Sequence, residues 1–197
     1  MKSLYSFIVK PLNERYDNTK KVHGKTLIVN TSIEDHKFVS KKALVVATPA
    51  AYSSKVKVGD EVYVHHNIFR RWYNMKNIEK NSSTYFKDDL YFVSAEQIYM
   101  YNLKPHLDYC FVKPLKNQNL LENRKEQPNV GILKYSNSSL EALKITPGTL
   151  VTFTPDSEFE FIINSERLYC MKSNDIALIH EYKGNEKEYN PSWAISS

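Results

Sequence analysis

The sequence predicts an all-β protein built from two tandem small β-barrels. Strand-like segments recur in the same order in both halves of the 197-residue chain, which indicates a diverged duplication. Tyr and Phe number 14 and 9, and aromatic residues favour pleated, half-buried surfaces. Short apolar runs are separated by Gly and Pro turns, and no segment beyond a single turn at 138–143 has a helical pattern.

The repeat consists of a first strand, a glycine turn and a closing strand. These elements lie at residues 7–12, 57–62 and 90–98 in the first copy and at 110–115, 146–151 and 168–176 in the second. The repeat predicts two domains, 1–104 and 105–197, joined near Pro105.

Each element of the first copy follows from a local pattern. The first strand ends at Pro11, which has no N–H to donate to a sheet. A polar stretch then surrounds the apolar triplet Leu27-Ile28-Val29. Residues 43–47 (Ala-Leu-Val-Val-Ala) predict a buried strand, and the turn at Gly59 leads into an alternating strand at 61–64. The strand pattern resumes at 90–93 and 97–101 after a long insertion, 65–87.

The second copy repeats this course with shorter excursions. Aligning the framework strands leaves the first copy 15 residues longer around the apolar triplet and 11 residues longer in the later hairpin. Insertions and function both concentrate in loops, so the first copy is expected to make the functional contacts. The second copy is expected to serve as a trimmed scaffold.

Charge and hydropathy narrow the classes of partner. Residues 1–104 carry 17 Lys and Arg against 10 Asp and Glu, whereas residues 105–197 carry 10 against 12. A basic half of this kind fits either nucleic acid or an acidic protein surface. No apolar run reaches transmembrane length, and the N-terminus lacks a signal-peptide pattern, so we expect a cytoplasmic protein with no membrane partner.

The insertion carries a cluster of aromatic and basic residues. They are Phe69, Arg70, Arg71, Trp72 and Tyr73. Aromatic rings stack on bases and Arg neutralises phosphates, so the cluster could contact nucleic acid. Tyr, Trp and Arg are also the side chains that dominate protein interfaces. Since no nucleic-acid-binding fold is recognisable, we interpret the cluster as a subunit or partner interface.

Other candidate chemistry is weak. His65 and His66 are neighbours on a predicted strand, where adjacent side chains point to opposite faces, which disfavours a shared metal ion. Cys110 and Cys170 lie in strand-like segments and are interpreted as buried thiols. The chain has no phosphate-binding glycine loop, nucleophile elbow or metal-ligand cluster. We therefore predict no catalytic residue, no metal site and no cofactor.

Taken together, the quoted segments resemble the GroES co-chaperonin family, the lids of GroEL chaperonin chambers. The resemblance runs through the Val-Lys strand, the apolar triplet, the turn at 56–62 (Val-Lys-Val-Gly-Asp-Glu-Val) and the closing strand at 90–98. It covers most of both halves. The Lys-, Asn- and Tyr-rich, Gly-poor composition is similar to that of bacteriophage members, some of which carry a doubled domain.

The resemblance implies a binding role for the loop in the first copy. In the family, a mobile loop carries an apolar triplet that docks on the chaperonin, and here the triplet maps to Leu27, Ile28 and Val29. The implied partner is a host GroEL-like ring, the implied state is a homo-oligomer, and the implied place is the cytoplasm of the infected bacterium. Two departures stand out: the second copy lacks the loop length, and the insertion at 65–87 is longer than the short roof hairpin of the family.

Two further functions stay open at this point. A phage virion structural or assembly protein could reuse the same fold for fixed subunit contacts, and the long insertion and the Trp193 tail suit that role. Nucleic-acid binding by the basic first half is the weaker third reading.

Overall fold

The structure is a computed structural model of the chain. It describes residues 2–16, 19–22, 25–28, 38–118, 125–181, 184 and 186–195, with side chains described outside 17–37. These residues are mostly β-strand, with two short α-helices, so the all-β prediction is confirmed. Neither of these helices is long and apolar enough to cross a membrane.

The chain divides into two compact units, residues 1–103 and 104–197. The described residues of unit 1 form ten strands: β1 (Phe7–Pro11), β2 (Thr19–Val22), β3 (Lys25–Ile28), β4 (Lys42–Ala47), β5 (Glu61–Val64), β6 (Arg71–Tyr73), β7 (Glu79–Asn81), β8 (Tyr85–Lys87), β9 (Leu90–Val93) and β10 (Ile98–Tyr101). The strands of unit 1 that belong to its main sheet follow the order β10-β5-β4-β1-β9-β8. The pairs β2-β3 and β6-β7 form two separate two-stranded sheets.

Unit 2 contains the remaining elements. They are β11 (Lys104–Pro105), β12 (Tyr109–Lys116), β13 (Glu126–Tyr135), α1 (Ser138–Ala142), β14 (Leu150–Phe153), β15 (Phe159–Ile163), β16 (Glu166–Lys172), β17 (Ile176–His180) and α2 (Ser192–Ile195). Its six-stranded sheet has the order β15-β16-β12-β13-β14-β17. Asn137 begins α1, where its side chain accepts a hydrogen bond from the Leu140 N–H at 3.0 Å.

The two main sheets have the same strand order when corresponding strands are compared. Strands β1, β4, β5, β8, β9 and β10 correspond to β12, β13, β14, β15, β16 and β17. The register agrees as well, because Val9 pairs with Val45 and Tyr91, whereas Val112 pairs with Leu133 and Tyr169. These pairs reproduce the 15-residue difference in length inferred from the sequence.

The glycine turns have the same hydrogen bonds in both units. The Gly59 N–H donates to Val45 O at 2.9 Å, and the Gly148 N–H donates to Leu133 O at 2.8 Å. Their φ angles are 90° and 94°, a region that other residues adopt only with strain. The fold therefore requires glycine at this turn, because the backbone there has a positive φ angle.

The expectation of closed barrels needs correction. Among the described residues neither main sheet closes on itself, and β8 in unit 1 and β15 and β17 in unit 2 are edge strands. Register shifts in the β1-β4 and β12-β13 pairs bend these sheets without closing them. Alternating hydrophobicity specifies which strand face is buried, but closure depends on strand tilt and stagger, which the sequence pattern does not encode.

Each unit has its own apolar core. In unit 1 the core includes Phe7, Val9, Val45, Phe69 and Tyr91. In unit 2 a cluster on one face contains Cys110, Val112, Leu133, Val151 and Met171. Cys110 and Cys170 are free, buried thiols, as predicted, and burial raises the pKa of Cys110 to about 12.

Candidate interaction surface

The insertion at 65–87 is fixed at its base by buried residues and by two side chains from the segment after β1. Ile68 and Phe69 are fully buried, and the Phe69 ring packs edge-on against Tyr91 at 4.8 Å between centroids. The Arg15 guanidinium donates to Phe69 O at 3.0 Å and to Asn81 Oδ1 at 3.0 Å. These contacts hold both ends of the β6-β7 hairpin.

A second anchor lies where β6 begins. The Tyr16 hydroxyl accepts a hydrogen bond from the Arg71 N–H at 2.7 Å, and the Arg71 guanidinium lies 4.9 Å from the centre of the Tyr16 ring. Arg71 also pairs with Glu79 on the opposite strand at 2.9 Å. Burial lowers the pKa of Arg71, but the hydrogen bonds with Tyr16 and Glu79 outweigh it, and the net shift is upward. The Arg71 guanidinium is therefore engaged by Tyr16 and by Glu79 of the opposite strand.

The tip of the β6-β7 hairpin is a closed turn at 74–78. The Asn74 side-chain oxygen accepts from the N–H groups of Lys76 at 3.0 Å and Ile78 at 2.9 Å. The Asn74 N–H donates to Ile78 O at 3.1 Å, and Asn77 has a φ of 55°, which Asn tolerates better than most residues. Met75 is fully exposed at the apex of this ordered turn.

Large apolar side chains are exposed along the insertion and the strand that follows it. They are Trp72, Tyr73, Met75, Ile78, Phe86 and Phe92. Phe86 and Phe92 lie 5.0 Å apart between ring centroids. Exposed apolar residues that are grouped in this way usually mark an interaction surface, whereas single scattered ones do not. We call the segment from Arg71 to Asn81 the exposed hairpin.

The predicted interface residues separate into two groups. Trp72 and Tyr73 are each 45% exposed and belong to the surface. Phe69 is a correction: it is fully buried, because its ring fills the core beside Tyr91. Arg70 and Arg71 are partly buried, and Arg71 is held by Tyr16 and Glu79. The aromatic-basic pattern identified the segment but not which of its faces packs inward.

The apolar triplet lies in a different part of unit 1. Leu27 and Ile28 belong to β3, which pairs with β2 in the register Lys20 to Leu27 and Thr19 to Ile28. This hairpin joins neither the main sheet nor any other described strand. A two-stranded hairpin on its own is at best marginally stable in water. Val29, the third residue of the predicted triplet, lies outside the described residues.

The histidine pair also differs from the expectation. The rings of His65 and His66 stack at 4.3 Å between centroids, because His66 starts a short 3-10 helix (His66–Ile68) rather than continuing a strand. His65 Nδ1 accepts from the Asn67 N–H at 3.1 Å, and burial together with Lys41 lowers the pKa of His65. Among the described residues, no group of three or more His, Cys, Asp or Glu is placed to hold a metal ion.

A groove of about 510 Å³ in unit 2 was missed at the sequence level. Its central cation is Arg167, which contacts Glu126 at 2.6 Å and Glu160 at 2.6 Å. Burial lowers the pKa of Arg167, but the hydrogen bonds to these two carboxylates raise it by more. The pKa of Arg167 is therefore raised overall. The lining residues come from four separated stretches of chain, and only the Trp193 tail stood out in the sequence.

Comparison with known proteins adds no family assignment. No protein-family model matches the chain, and no curated protein matches it.

Proposed function

We propose that this protein is a GroES-like co-chaperonin of the bacteriophage type. It engages a GroEL-like chaperonin ring of the host and assists the folding of phage proteins in the host cytoplasm. The observation that carries the proposal is the β2-β3 hairpin, which departs from the main sheet and carries Leu27 and Ile28. The shared order of the six corresponding strands in the two units supports a tandem arrangement of one domain type.

The energetics favour binding through several copies of the loop. Burial of an apolar side chain contributes about 1.5–3 kcal/mol, so Leu27, Ile28 and Val29 offer a modest gain for one loop. The entropy lost on ordering a loop offsets much of this gain. In a homo-oligomer, several loops act together at high effective concentration, and weak single contacts become a stable cap. No cofactor on this chain is needed for such a role.

The experiment is a pull-down with the host chaperonin and nucleotide. We expect the parent protein to be retained and the Leu27→Asp, Ile28→Asp double variant to be lost, because two charges cannot enter an apolar groove. The matched control is Leu120→Asp, Leu121→Asp, which makes the same change in the corresponding segment of the second copy. Equal retention of the parent and the first variant would show that this triplet is not the chaperonin contact.

A second candidate function rests on a separate observation. The exposed hairpin presents Trp72 and Tyr73 from β6 and Met75 from the closed turn that follows, which suits a fixed subunit contact in a phage particle. Mass spectrometry of purified virions distinguishes the two functions. Stoichiometric presence in the particle favours the structural role, and absence from it favours the co-chaperonin.

A further inference from the structure

The exposed hairpin carries apolar side chains at the end opposite to its anchors. Met75, at the apex of the turn, is fully exposed, and Ile78, which closes the same turn, is half exposed. Trp72 lies further back, on β6, and is also about half exposed. The anchors at Phe69 and Asn81 fix the other end of the hairpin through Arg15. The apolar groups therefore form a protruding tip.

The backbone of this tip is satisfied by the turn itself. The Asn74 N–H donates to Ile78 O at 3.1 Å, and the Asn77 N–H donates to Asn74 O at 2.8 Å. The N–H groups of Lys76 and Ile78 both donate to the Asn74 side-chain oxygen, at 3.0 and 2.9 Å. A turn surrounded by water does not need this, because water can replace each bond. In an apolar medium every unsatisfied N–H is costly, so the turn is suited to leaving water.

The charge of the hairpin is positive and partly uncommitted. Lys76 follows Met75 in the turn, and Lys80 lies directly opposite Trp72, so their side chains share one face of the hairpin. Glu79, the one acidic residue between positions 71 and 81, is paired with Arg71 at 2.9 Å. Among the described residues, no ion pair engages either lysine. The tip thus offers two ammonium groups to an anionic surface.

These features follow the order of chemistry across a bilayer surface. The acyl-chain boundary accepts Met75 and Ile78, the headgroup level favours Trp72, and anionic headgroups attract lysine. A nucleic acid would complement the lysines but would leave Met75 and Ile78 without an apolar contact. A protein partner would need a cavity shaped to a protruding tip, whereas fluid lipid closes around it.

We propose that the exposed hairpin docks on an anionic lipid surface. Met75 and Ile78 enter the boundary between headgroups and acyl chains, and the ammonium groups of Lys76 and Lys80 reach the headgroups. The expectation of no membrane partner was based on the lack of a membrane-spanning run, which a shallow contact of this kind does not require. The inference is independent of the co-chaperonin function, because Leu27 lies in a different hairpin.

The test is binding of the full chain to vesicles, read by co-sedimentation. Vesicles of phosphatidylcholine alone are compared with an equimolar mixture of phosphatidylcholine and phosphatidylglycerol. We expect binding to the anionic vesicles, weaker at high salt, and little binding to the neutral ones. In the Trp193→Phe background only Trp72 fluoresces, and we expect its emission to shift to the blue and to be quenched by brominated acyl chains.

Matched variants separate the tip from the general charge of unit 1. Lys76→Gln and Lys80→Gln are each expected to weaken binding to the anionic vesicles about fivefold, and Met75→Ser on the order of tenfold. Lys55→Gln and Val58→Ser make the same changes at exposed positions of unit 1 outside the hairpin and should leave binding unchanged. All five residues are exposed, so the melting temperature should stay that of the parent and exclude misfolding as the cause of a loss.

Four results would overturn the proposal. The first is a parent that binds neither kind of vesicle, and the second is Trp72 emission that does not respond to brominated lipid. The third is a loss of binding in Lys55→Gln as large as in Lys76→Gln, which would indicate general charge attraction. The fourth is a hairpin that acts without lipid: self-association of the free chain that Met75→Ser abolishes would assign the tip to a second copy.

Discussion

Lys10 and Lys113 occupy the same position in the first strand of the two copies, but their environments are opposite. Lys10 is exposed, whereas the Lys113 side chain is only 2% exposed and pairs with Glu166 at 3.5 Å. In unit 2 the C-terminal segment pairs with the chain beside Lys113, where the Tyr189 N–H donates to Pro114 O at 2.8 Å. The comparison shows that the same strand framework can bury a lysine when a flanking segment pairs with its first strand.

The two copies also differ in the structure of the segments that connect their framework strands. Unit 1 has two hairpins outside its main sheet, β2-β3 and β6-β7. Within the described part of unit 2, no such hairpin occurs, and its polar network around Arg167 lines a groove instead. In the described residues the first copy thus offers projections and the second a groove, and the expectation that the second copy serves as a scaffold stays a prediction.

The chain is well suited to experiments that separate the copies, because it has two tryptophans, one in each unit. Trp72→Phe leaves Trp193 to report on unit 2, and Trp193→Phe leaves Trp72 to report on unit 1. Each prediction below compares unfolding of the two units in these backgrounds.

The largest effect is expected from Glu166→Gln. This change leaves the buried Lys113 ammonium without its counter-charge, and breaking a buried pair costs about 3–5 kcal/mol. We expect the low end of that range in unit 2, since the Glu166 side chain is 31% exposed. Urea unfolding followed by Trp193 fluorescence measures it. The matched control is Asp88→Asn at the corresponding exposed position of unit 1, where a loss of similar size would contradict the assigned role of Lys113.

The next effect is expected from Gly131→Ala. A Cβ at residue 131 would lie 2.5 Å from the Lys113 carbonyl oxygen and would also overlap the Val112 side chain. Overpacking of this kind costs about 1–3 kcal/mol, and here a backbone atom must move. The corresponding residue of unit 1 is the buried Ala43, so Ala43→Gly is the reciprocal control, with an expected loss of about 0.5–1 kcal/mol. Equal urea midpoints for Gly131→Ala and the parent would refute the close approach.

A smaller loss is expected from Arg15→Met, which removes the two hydrogen bonds that hold the insertion. Hydrogen bonds from a charged donor contribute about 1.5–3 kcal/mol to stability. The loss is smaller here because Arg15 is partly exposed, so water can replace part of these bonds. We expect a loss of about 1 kcal/mol in unit 1 and none in unit 2. Hydrogen exchange at the exposed hairpin should rise in the same variant. Unchanged exchange at β6 and β7 would mean that Arg15 does not anchor them.

The smallest effect is a pH dependence of unit 1 that comes from His65. Burial, with Lys41 as a second cause, holds the pKa of His65 below 6.5, so the unfolded chain binds this proton more readily than the folded one. The stability of unit 1 should therefore fall as pH drops below 6.5. The corresponding residue of unit 2, Thr154, does not titrate. His65→Gln should flatten the pH profile of unit 1 between pH 7.5 and 5.5, and a profile that kept its slope would assign the effect elsewhere.

Several features were accessible from the sequence because they depend on local pattern. The glycine turns at Gly59 and Gly148, the buried thiols and the strand positions all follow from backbone geometry and alternation. The repeated order of segments also anticipated the common strand order. The groove could not be anticipated, because Arg167, Glu126 and Trp193 meet only after distant strands have paired.

The amino-acid pattern alone was sufficient to locate two copies of one β framework and the two places where they differ in length. Alternation and turn residues act between near neighbours, which is why they can be recognised without a fold. The tertiary structure decided which of two equivalent lysines is buried, that Phe69 faces inward and that each sheet is open. Each of these depends on which distant strands and segments pack together, because burial and pairing are properties of neighbours in space.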